Sequence, residues 1–582
     1  MTSSDLERLA FTHEAVRTWS LLDRRFTNWP VVYVLDNDGP IPDPASRKVY
    51  VGESLNAAGR MRQHLESPDK RDLTTVRVVI DETFNKSACL DLESELIRLF
   101  AGDGYYQVLN RNDGITDADY FDRSHYQRLF RMIFDRLRSE GMFTRSMPDI
   151  QNDNLFKLSP FKALVPDQAI VVEDILEGLL EDLVGGRTSS IVIQGDPGTG
   201  KTVVAIYLMK LLRDLATVTS TEDLDGDSLF SEFYTDDVRE LLSPLRVGIV
   251  VPQQSLRDSI KKVFKKTPGL SPSMVLTPFE VGESAENFDL LIVDEAHRLN
   301  QRANQPSGVQ NKRFRDITVA LFGEDDHGKT QLDWIVAKSA HRIFLVDAAQ
   351  SVRPADLPAE ILAELVERSR EAHRHYRLTS QMRVAAGSDY VGYVRSVLSG
   401  PREDSPEPIG FDGYELRMFD DLVVMREAIR QRDEEFGLAR LVAGYAWEWK
   451  SRSDPSAFDI EVDGVSLRWN GMQTDWIASP GAVNEVGSIH TVQGYDLNYA
   501  GVIIGPDLRF DPAARRLFFD RDSYFDAKGK ENNKVLGKVY DDDDLLRFIT
   551  NIYAVLLTRG IRGTFVYVCD PALREYLRRY FG

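Results

Sequence analysis

Ser190-Ile191-Val192-Ile193-Gln194 runs without a break into Gly195-Asp196-Pro197-Gly198-Thr199-Gly200-Lys201-Thr202, and the helical Val203–Leu212 follows at once. A strand, a glycine-rich loop and a helix in that order make a phosphate-binding loop. Gly195, Gly198 and Gly200 let backbone N–H groups curl round phosphates at a helix N-terminus. In that setting Lys201 reaches the β- and γ-phosphates of ATP, and the Thr202 hydroxyl ligates Mg2+. The chain around this stretch is therefore expected to be an α/β nucleotide-binding fold.

Outward from the loop, apolar strands at Arg246–Val251, Leu290–Val293 and Arg342–Val346 alternate with helical segments from Phe161 onward, as in a doubly wound parallel sheet. A second series, Arg440–Tyr445, Ala500–Ile504 and Gly563–Cys569, requires a second sheet. The expected organisation is an amino-terminal domain over 1–115 that opens with a helix from about Ser4 to Leu22, a helical linker over 116–160, and sheet domains over 161–375 and 376–582. Segments 214–244 and 301–330 and the run Asp541–Asp544 read as polar insertions or solvated loops.

The strand Leu290–Val293 ends in Asp294-Glu295-Ala296-His297. Buried strands of such sheets present carboxylates at their carboxyl ends, where ligands bind. Beside a phosphate loop, Asp294 is expected to hold magnesium through water, and Glu295 to orient and deprotonate the attacking water.

Composition narrows the partners. The formal net charge of −20 is unusual for a nucleic-acid enzyme, since Lys and Arg supply most non-specific affinity for phosphate. An acidic exterior can still enclose a basic groove, so a confined, salt-sensitive track is expected. Lys261-Lys262 and Lys265-Lys266 give one helix a basic face that serves such a groove or is simply solvated. Cys89 and Cys569 are the two cysteines, which excludes a disulfide framework or thiolate zinc site within the chain and leaves metals to oxygen ligands. No apolar run approaches the ~20 residues of a membrane span, and MTSSDLERLA lacks the apolar core of a secretory signal. A cytoplasmic protein without a membrane partner is expected.

Further motifs carry a resemblance over roughly residues 156–580. In order they are Pro166-Asp167-Gln168, Val250-Val251-Pro252-Gln253-Gln254-Ser255-Leu256, Phe344–Pro354 with Gln350, Leu378-Thr379-Ser380-Gln381-Met382-Arg383, Arg440–Trp447, Gly487–Asp496 and Tyr553–Gly560. Together with the loop and the acid pair they resemble the superfamily-one helicases and, more closely, the Schlafen-related P-loop ATPase domain. The resemblance implies two RecA-like domains and a role for each motif. Gln168 reads adenine, the Pro252 motif touches the nucleic-acid backbone, Gln350 senses the γ-phosphate, and Arg383 reaches it from across the cleft. Arg559 supplies the arginine finger, with Arg562 as the neighbour able to substitute, and such a cation is worth ~10³–10⁵ in rate.

In the amino-terminal domain, Val31-Val32-Tyr33, Tyr50-Val51-Gly52-Glu53-Ser54, Arg60, His64, Glu93-Ser94-Glu95-Leu96-Ile97 and Asn110 resemble the GIY-YIG endonucleases over about residues 28–115. That resemblance implies Tyr33 and Tyr50 as active-site phenols, Arg60 as stabiliser of the pentavalent phosphate, and Glu93 as ligand of a single Mg2+ or Mn2+, with Glu95 as its rival. Arg60 and His64, four apart, share a helical face; His64 is either part of the site or a surface histidine. Val31 replaces the family's leading glycine, Glu53 stands where Lys or Ser is common, and the hairpin loop 36–47 is long. The combined expectation is an ATP-driven translocase or helicase with a nuclease in front, acting on DNA in defence or repair. An RNA-processing helicase-nuclease and a nucleotide-switched scaffold ATPase are the alternatives.

Overall fold

The computed structural model describes residues 5–37, 47–111, 119–217, 230–303, 305, 307–347, 353–381, 389–401, 406–472, 476–479, 481–492 and 495–582, with Asp389 and His490 described by backbone alone. The chain forms two compact units. One comprises Met1–Glu173, Ile206–Pro244 and Ser259–Met274; the other comprises Asp174–Ala205, Leu245–Asp258 and Val275–Gly582.

The first unit holds a five-stranded mixed sheet of β1 (Asp5–Ala10), β2 (Val31–Asp36), β3 (Lys48–Ser54), β4 (Thr75–Ile80) and β5 (Gln107–Val108), in the order β1-β4-β2-β3-β5. β2 and β3 pair antiparallel, as the hairpin reading requires. Every residue of β2 is buried because alternate side chains enter different cores. Val32 and Val34 pack with the helix Lys86–Asp103, whereas Val31, Tyr33 and Leu35 pack with the helix Ala57–Glu66.

Two expectations change here. The helical start expected from about residue 4 is instead β1, whose edge pairs antiparallel with β4, followed by the short helix His13–Trp19. The stretch expected to be a linker contains the helix Arg123–Ser139. Its Tyr126, Leu129, Phe130, Ile133, Phe134 and Leu137 recur at helical spacing and join the core beneath the sheet. That apolar stripe makes the helix a wall of the domain.

The second unit contains two all-parallel sheets, consistent with RecA-like P-loop domains. The first has the order β11-β6-β10-β9-β7-β8, built from β6 (Ser189–Gly195), β7 (Val247–Val250), β8 (Val275–Leu276), β9 (Phe288–Val293), β10 (Ser339–Val346) and β11 (His375–Leu378). Because β11 pairs with β6, this sheet runs past residue 375, and the change of sheet falls after Leu378. The second sheet has the order β12-β20-β17-β13-β16, from β12 (Glu415–Phe419), β13 (Ala439–Ala443), β16 (Val486–Ser488), β17 (Leu497–Ile504) and β20 (Gly560–Val568). Two antiparallel ribbons, β14 (Ile460–Val462) with β15 (Val465–Leu467) and β18 (Leu508–Asp511) with β19 (Arg516–Phe519), complete the strands described.

The second sheet is covered on both faces, again by period-two alternation. Leu441, Ile503 and Phe565 meet the helix Leu422–Phe436, while Val442, Val502 and Val566 meet the helices Asp389–Leu398, Asp542–Leu557 and Pro571–Phe581. The run Asp541–Asp544 is not an insertion. Asp541 caps the helix Asp542–Leu557 in a capping box with Asp544, and acids suit the positive end of a helix dipole. Within 301–330, the helix Gly308–Phe322 packs Phe314 and Ile317 on Trp334, so that segment has a small core of its own. No helix among the described residues is long and apolar enough to cross a membrane.

Asp507, after β17, is fully buried and accepts a 2.6 Å hydrogen bond from the Tyr553 hydroxyl. Burial, countered by that bond, pushes its carboxyl up to about 7. A carboxyl raised in the fold above its unfolded value of ~3.9 carries no penalty below ~3.9, and the full penalty once pH exceeds the folded value. Stability therefore falls between about pH 4 and 7 through this group. Asp507→Asn keeps the shape and removes the charge, so its melting temperature relative to wild type should climb as pH rises from 5 to 8. A difference that stays flat across that range contradicts the account.

Candidate functional site

β6 ends at Gly195, and the loop carries the chain to Lys201, where the helix Lys201–Thr217 begins. Gly198 and Gly200 sit at φ +89 and +81, a left-handed backbone that suits glycine. The Lys201 side chain is 5% exposed; its Nζ donates to Gly195 O at 2.6 Å and Asp196 O at 2.9 Å and lies 3.6 Å from Asp347 Oδ2. Thr202 Oγ1 donates to Asp294 Oδ2 at 2.7 Å, which brings the ends of β6 and β9 together across β10. Two hard oxygen ligands side by side at a phosphate loop fit Mg2+ in their chemistry. When bound there, the ion neutralises charge on the phosphates.

Asp294 is 0% exposed, and burial, followed by the charge of Glu295, pushes its carboxyl up to about 6. Glu295 occupies φ +50, ψ +45, a costly conformation for a residue with a Cβ. Its Oε2 lies 3.3 Å from Arg298 Nε and 3.2 Å from His297 Nε2. Burial opposes ionisation of Glu295, but His297, Arg298 and Lys201 outweigh it and hold the carboxyl well below the usual range. A carboxylate so stabilised is suited to orienting a water by accepting its hydrogen bond more than to keeping its proton. The His297 ring is set in turn by the backbone N–H of Asp347, which donates to Nδ1 at 3.3 Å.

Two further side chains reach the loop. Gln381 Nε2 donates to Pro197 O at 2.8 Å. Arg395 places Nη1 2.8 Å from Asp196 Oδ1 and Nη2 3.5 Å from Asp347 Oδ1. Sequence reading missed Arg395, which belongs to no motif. The available signal was its place opposite the apolar Tyr390, Tyr393-Val394 and Val397-Leu398 stripe of one helix.

Arg383 and Gln350 lie outside the described residues. Arg559 is described, at the turn between the helix Asp542–Leu557 and β20. Its side chain is 2% exposed and bonds Val555 O at 3.2 Å and Tyr495 O at 3.4 Å, inside the second sheet domain. Tyr495 in turn donates from its hydroxyl to Ser255 O at 3.2 Å, in the segment expected to touch nucleic acid. The Arg559 guanidinium thus braces Tyr495, while Arg395, among the described residues, reaches the phosphate loop. Arg562 stacks over Phe436 at 4.6 Å.

Gln168, fully buried near the start of the helix Pro166–Val184, accepts from the backbone N–H of Val165 at 3.3 Å. On the helix Gln254–Lys266, Leu256, Ile260, Val263 and Phe264 are buried while Lys262, Lys265 and Lys266 are exposed, so the basic face exists; Lys266 donates to Gly104 O at 2.9 Å.

In the first unit, Tyr33, Tyr50 and His64 meet. Tyr33 Oη is 2.8 Å from His64 Nε2, and the Tyr50 and His64 rings lie 5.0 Å apart edge to face. His64 is 0% exposed, so it is not a surface histidine. Its Nδ1 lies 2.8 Å from Nζ of Lys70, a 3% exposed lysine whose ammonium sits 4.1 Å over the Tyr50 ring. An ammonium must donate to Nδ1, which leaves the neutral ring its proton at Nε2, pointed at the Tyr33 oxygen. Lys70, six residues after His64 but part of no motif, was not legible in the sequence.

Burial, then Tyr50, raises the Tyr33 phenol well above its ordinary value, with Glu93 adding to the effect and Arg60 opposing it through charge and a hydrogen bond. The groups proposed from sequence therefore influence one another. Gly52 is needed for this packing, since a Cβ there would lie 2.3 Å from Tyr33 Oη. Asn110 clamps the same strand, donating to Val51 O at 2.7 Å and accepting from Val51 N–H at 3.0 Å. Glu53 is paired with Lys86, and Glu95 with Arg98 at 3.3 Å. No group of three or more His, Cys, Asp or Glu among the described residues is placed to hold a metal. A divalent ion here would rest on the Glu93 carboxylate, with water and phosphate oxygens completing it, a donor set that fits Mg2+.

The chain is 28% identical over 418 residues to the uncharacterized protein YPL245W of Saccharomyces cerevisiae, covering 67% of this chain and 83% of that protein. It is 28% identical over 222 residues to the ATP-dependent DNA helicase RecG of Borreliella burgdorferi, covering 34% of this chain and 31% of RecG. Residues 188–570, which include the phosphate loop, the acid pair and both parallel sheets, match the family described as Schlafen group 3, DNA/RNA helicase domain. With well over half its length inside that match, the chain belongs to the Schlafen group 3 helicase-domain family.

Proposed function

We propose that the protein is an ATP-driven nucleic-acid translocase or helicase carrying a metal-dependent endonuclease in its amino-terminal domain. The observation that carries the motor reading is the Thr202–Asp294 contact of 2.7 Å, with Lys201 and Glu295 beside it. In this reading Thr202 and Asp294 hold Mg-ATP, Lys201 grips the β- and γ-phosphates, and Glu295 orients the attacking water. Gln168 reads the base, and Gln350 and Arg383 sense the γ-phosphate. The motor spans residues 161–582, fed by single strands along the Pro252 segment and the basic face of Lys262 and Lys265.

The nuclease reading is supported by the buried Tyr33–His64–Lys70 chain beside Tyr50, and by the electrostatic reach of Arg60 and Glu93 to Tyr33. Arg60 offsets charge on the scissile phosphate, one tyrosine activates the water, and Glu93 holds Mg2+ or Mn2+. The similarity to a DNA helicase favours DNA, and the reading of a motor joined to a cutter in the cytoplasm favours restriction of foreign DNA or repair.

The test is ATP turnover of the full chain alone and with single-stranded DNA, duplex DNA or single-stranded RNA. Many-fold stimulation by DNA is expected. Stimulation by RNA alone moves the substrate to RNA, and turnover indifferent to all three marks a nucleotide switch in place of a motor. Incubating plasmid with Mg2+ or Mn2+, with and without ATP, reads the cutter in parallel.

A further inference from the structure

The helix Asp389–Leu398 buries Tyr390, Tyr393, Val394, Val397 and Leu398 in the core of the second sheet domain. From the same helix the Arg395 guanidinium, 28% exposed, reaches the loop after β6. One nitrogen meets Asp196 at 2.8 Å and the other approaches Asp347 at 3.5 Å. Asp347 is 2% exposed, and its second oxygen lies 3.6 Å from Lys201 Nζ. A buried carboxylate is costly unless paired. Here Arg395 and Lys201 share its charge.

We infer that Arg395 is a positioning residue for nucleotide binding, which by sharing the Asp347 charge leaves the Lys201 ammonium available to the triphosphate. The inference rests on reading this loop as an ATP site. Remove the guanidinium and Asp347 draws Lys201 more strongly to itself. At the same time Asp196, Asp294, Glu295 and Asp347 confront an incoming polyanion with one cation fewer. Both effects act on ground-state binding, so KM for ATP should rise while kcat changes little. Because the helix belongs to the second sheet domain, nucleotide affinity also becomes sensitive to where that domain stands.

The experiment compares full-length wild type, Arg395→Gln, Arg395→Lys, Asp347→Asn and the Arg395→Gln/Asp347→Asn pair. Affinity for a fluorescent non-hydrolysable ATP analogue is measured beside steady-state turnover. Arg395→Gln should weaken affinity by about tenfold, with Arg395→Lys recovering most of it. In the Asp347→Asn background the Gln substitution should cost about threefold or less, since the charge to be shared is gone and only the loss of a cation beside Asp196 remains. A penalty of equal size in that background means that Arg395 meets the nucleotide directly, and overturns the inference. Unchanged affinity in Arg395→Gln overturns it too. A wild type that neither binds the analogue nor turns over ATP overturns the ATP reading itself.

Discussion

Lys201→Ala is expected to abolish nucleotide turnover, and Glu295→Gln to keep nucleotide binding while losing ~10²–10⁴ in rate, the usual worth of a positioned acid–base group. The two variants separate grip from chemistry. Lys201 is anchored within 3 Å of two loop carbonyls, so its ammonium stands where phosphates must pass. Glu295 is held ionised by His297 and Arg298 and fixed in a left-handed backbone by the turn that follows. Phosphate release and direct nucleotide binding, measured on the same preparations, check both. Turnover near the wild-type rate in either variant removes the assignment of that residue.

Glu93→Ala should reduce metal-dependent cutting to background while ATP turnover stays at the wild-type level. The carboxylate belongs to the helix Lys86–Asp103 and acts on the Tyr33 phenol, whereas the rival Glu95 is occupied by Arg98. In this reading Glu93 is the one carboxylate given to the metal, and Glu53 and Glu95 are already paired with Lys86 and Arg98, so the loss should be near complete. Plasmid nicking with Mg2+ or Mn2+ is the assay. Cleavage that persists undiminished removes the nuclease from the proposal, and a matching loss in Glu95→Ala alone shifts the metal to Glu95.

Much of the motor was legible because its parts are local. A strand, a glycine loop and a helix are contiguous from Ser190 to Leu212, and the acid pair closes its own strand, so short-range pattern located Lys201, Thr202, Asp294 and Glu295. The β2–β3 hairpin and the helices carrying Arg60 and Glu93 were legible for the same reason. What failed was long range or ambiguous in period. Asp5–Ala10 has enough charge and leucine to pass for a helix, and only its partner β4 makes it a strand. The acidic run at 541–544 read as an insertion because four like charges resemble a solvated loop, yet they start a helix. Arg559 was placed by motif analogy, which says nothing of its surroundings. Its guanidinium donates to the carbonyls of Val555 and Tyr495, the second of them 64 positions away. Arg395 illustrates the converse, since it acquires its role from Asp347 and Asp196, dozens of positions away, and Lys70 gains its own only when the chain folds it back over Tyr50 and His64.

The helix Arg123–Ser139 bears on how such a chain could have been assembled. Six large apolar side chains tie it to the sheet that bears the tyrosines. A piece of gene ending at codon 115 would have carried that sheet into a new protein with its underside bare and prone to clump. The unit that can bury its own core is therefore longer than the stretch 28–115 that bears the motifs, extending to about Phe161, the last residue of that core. A fragment meant to carry this domain alone has to end beyond that point.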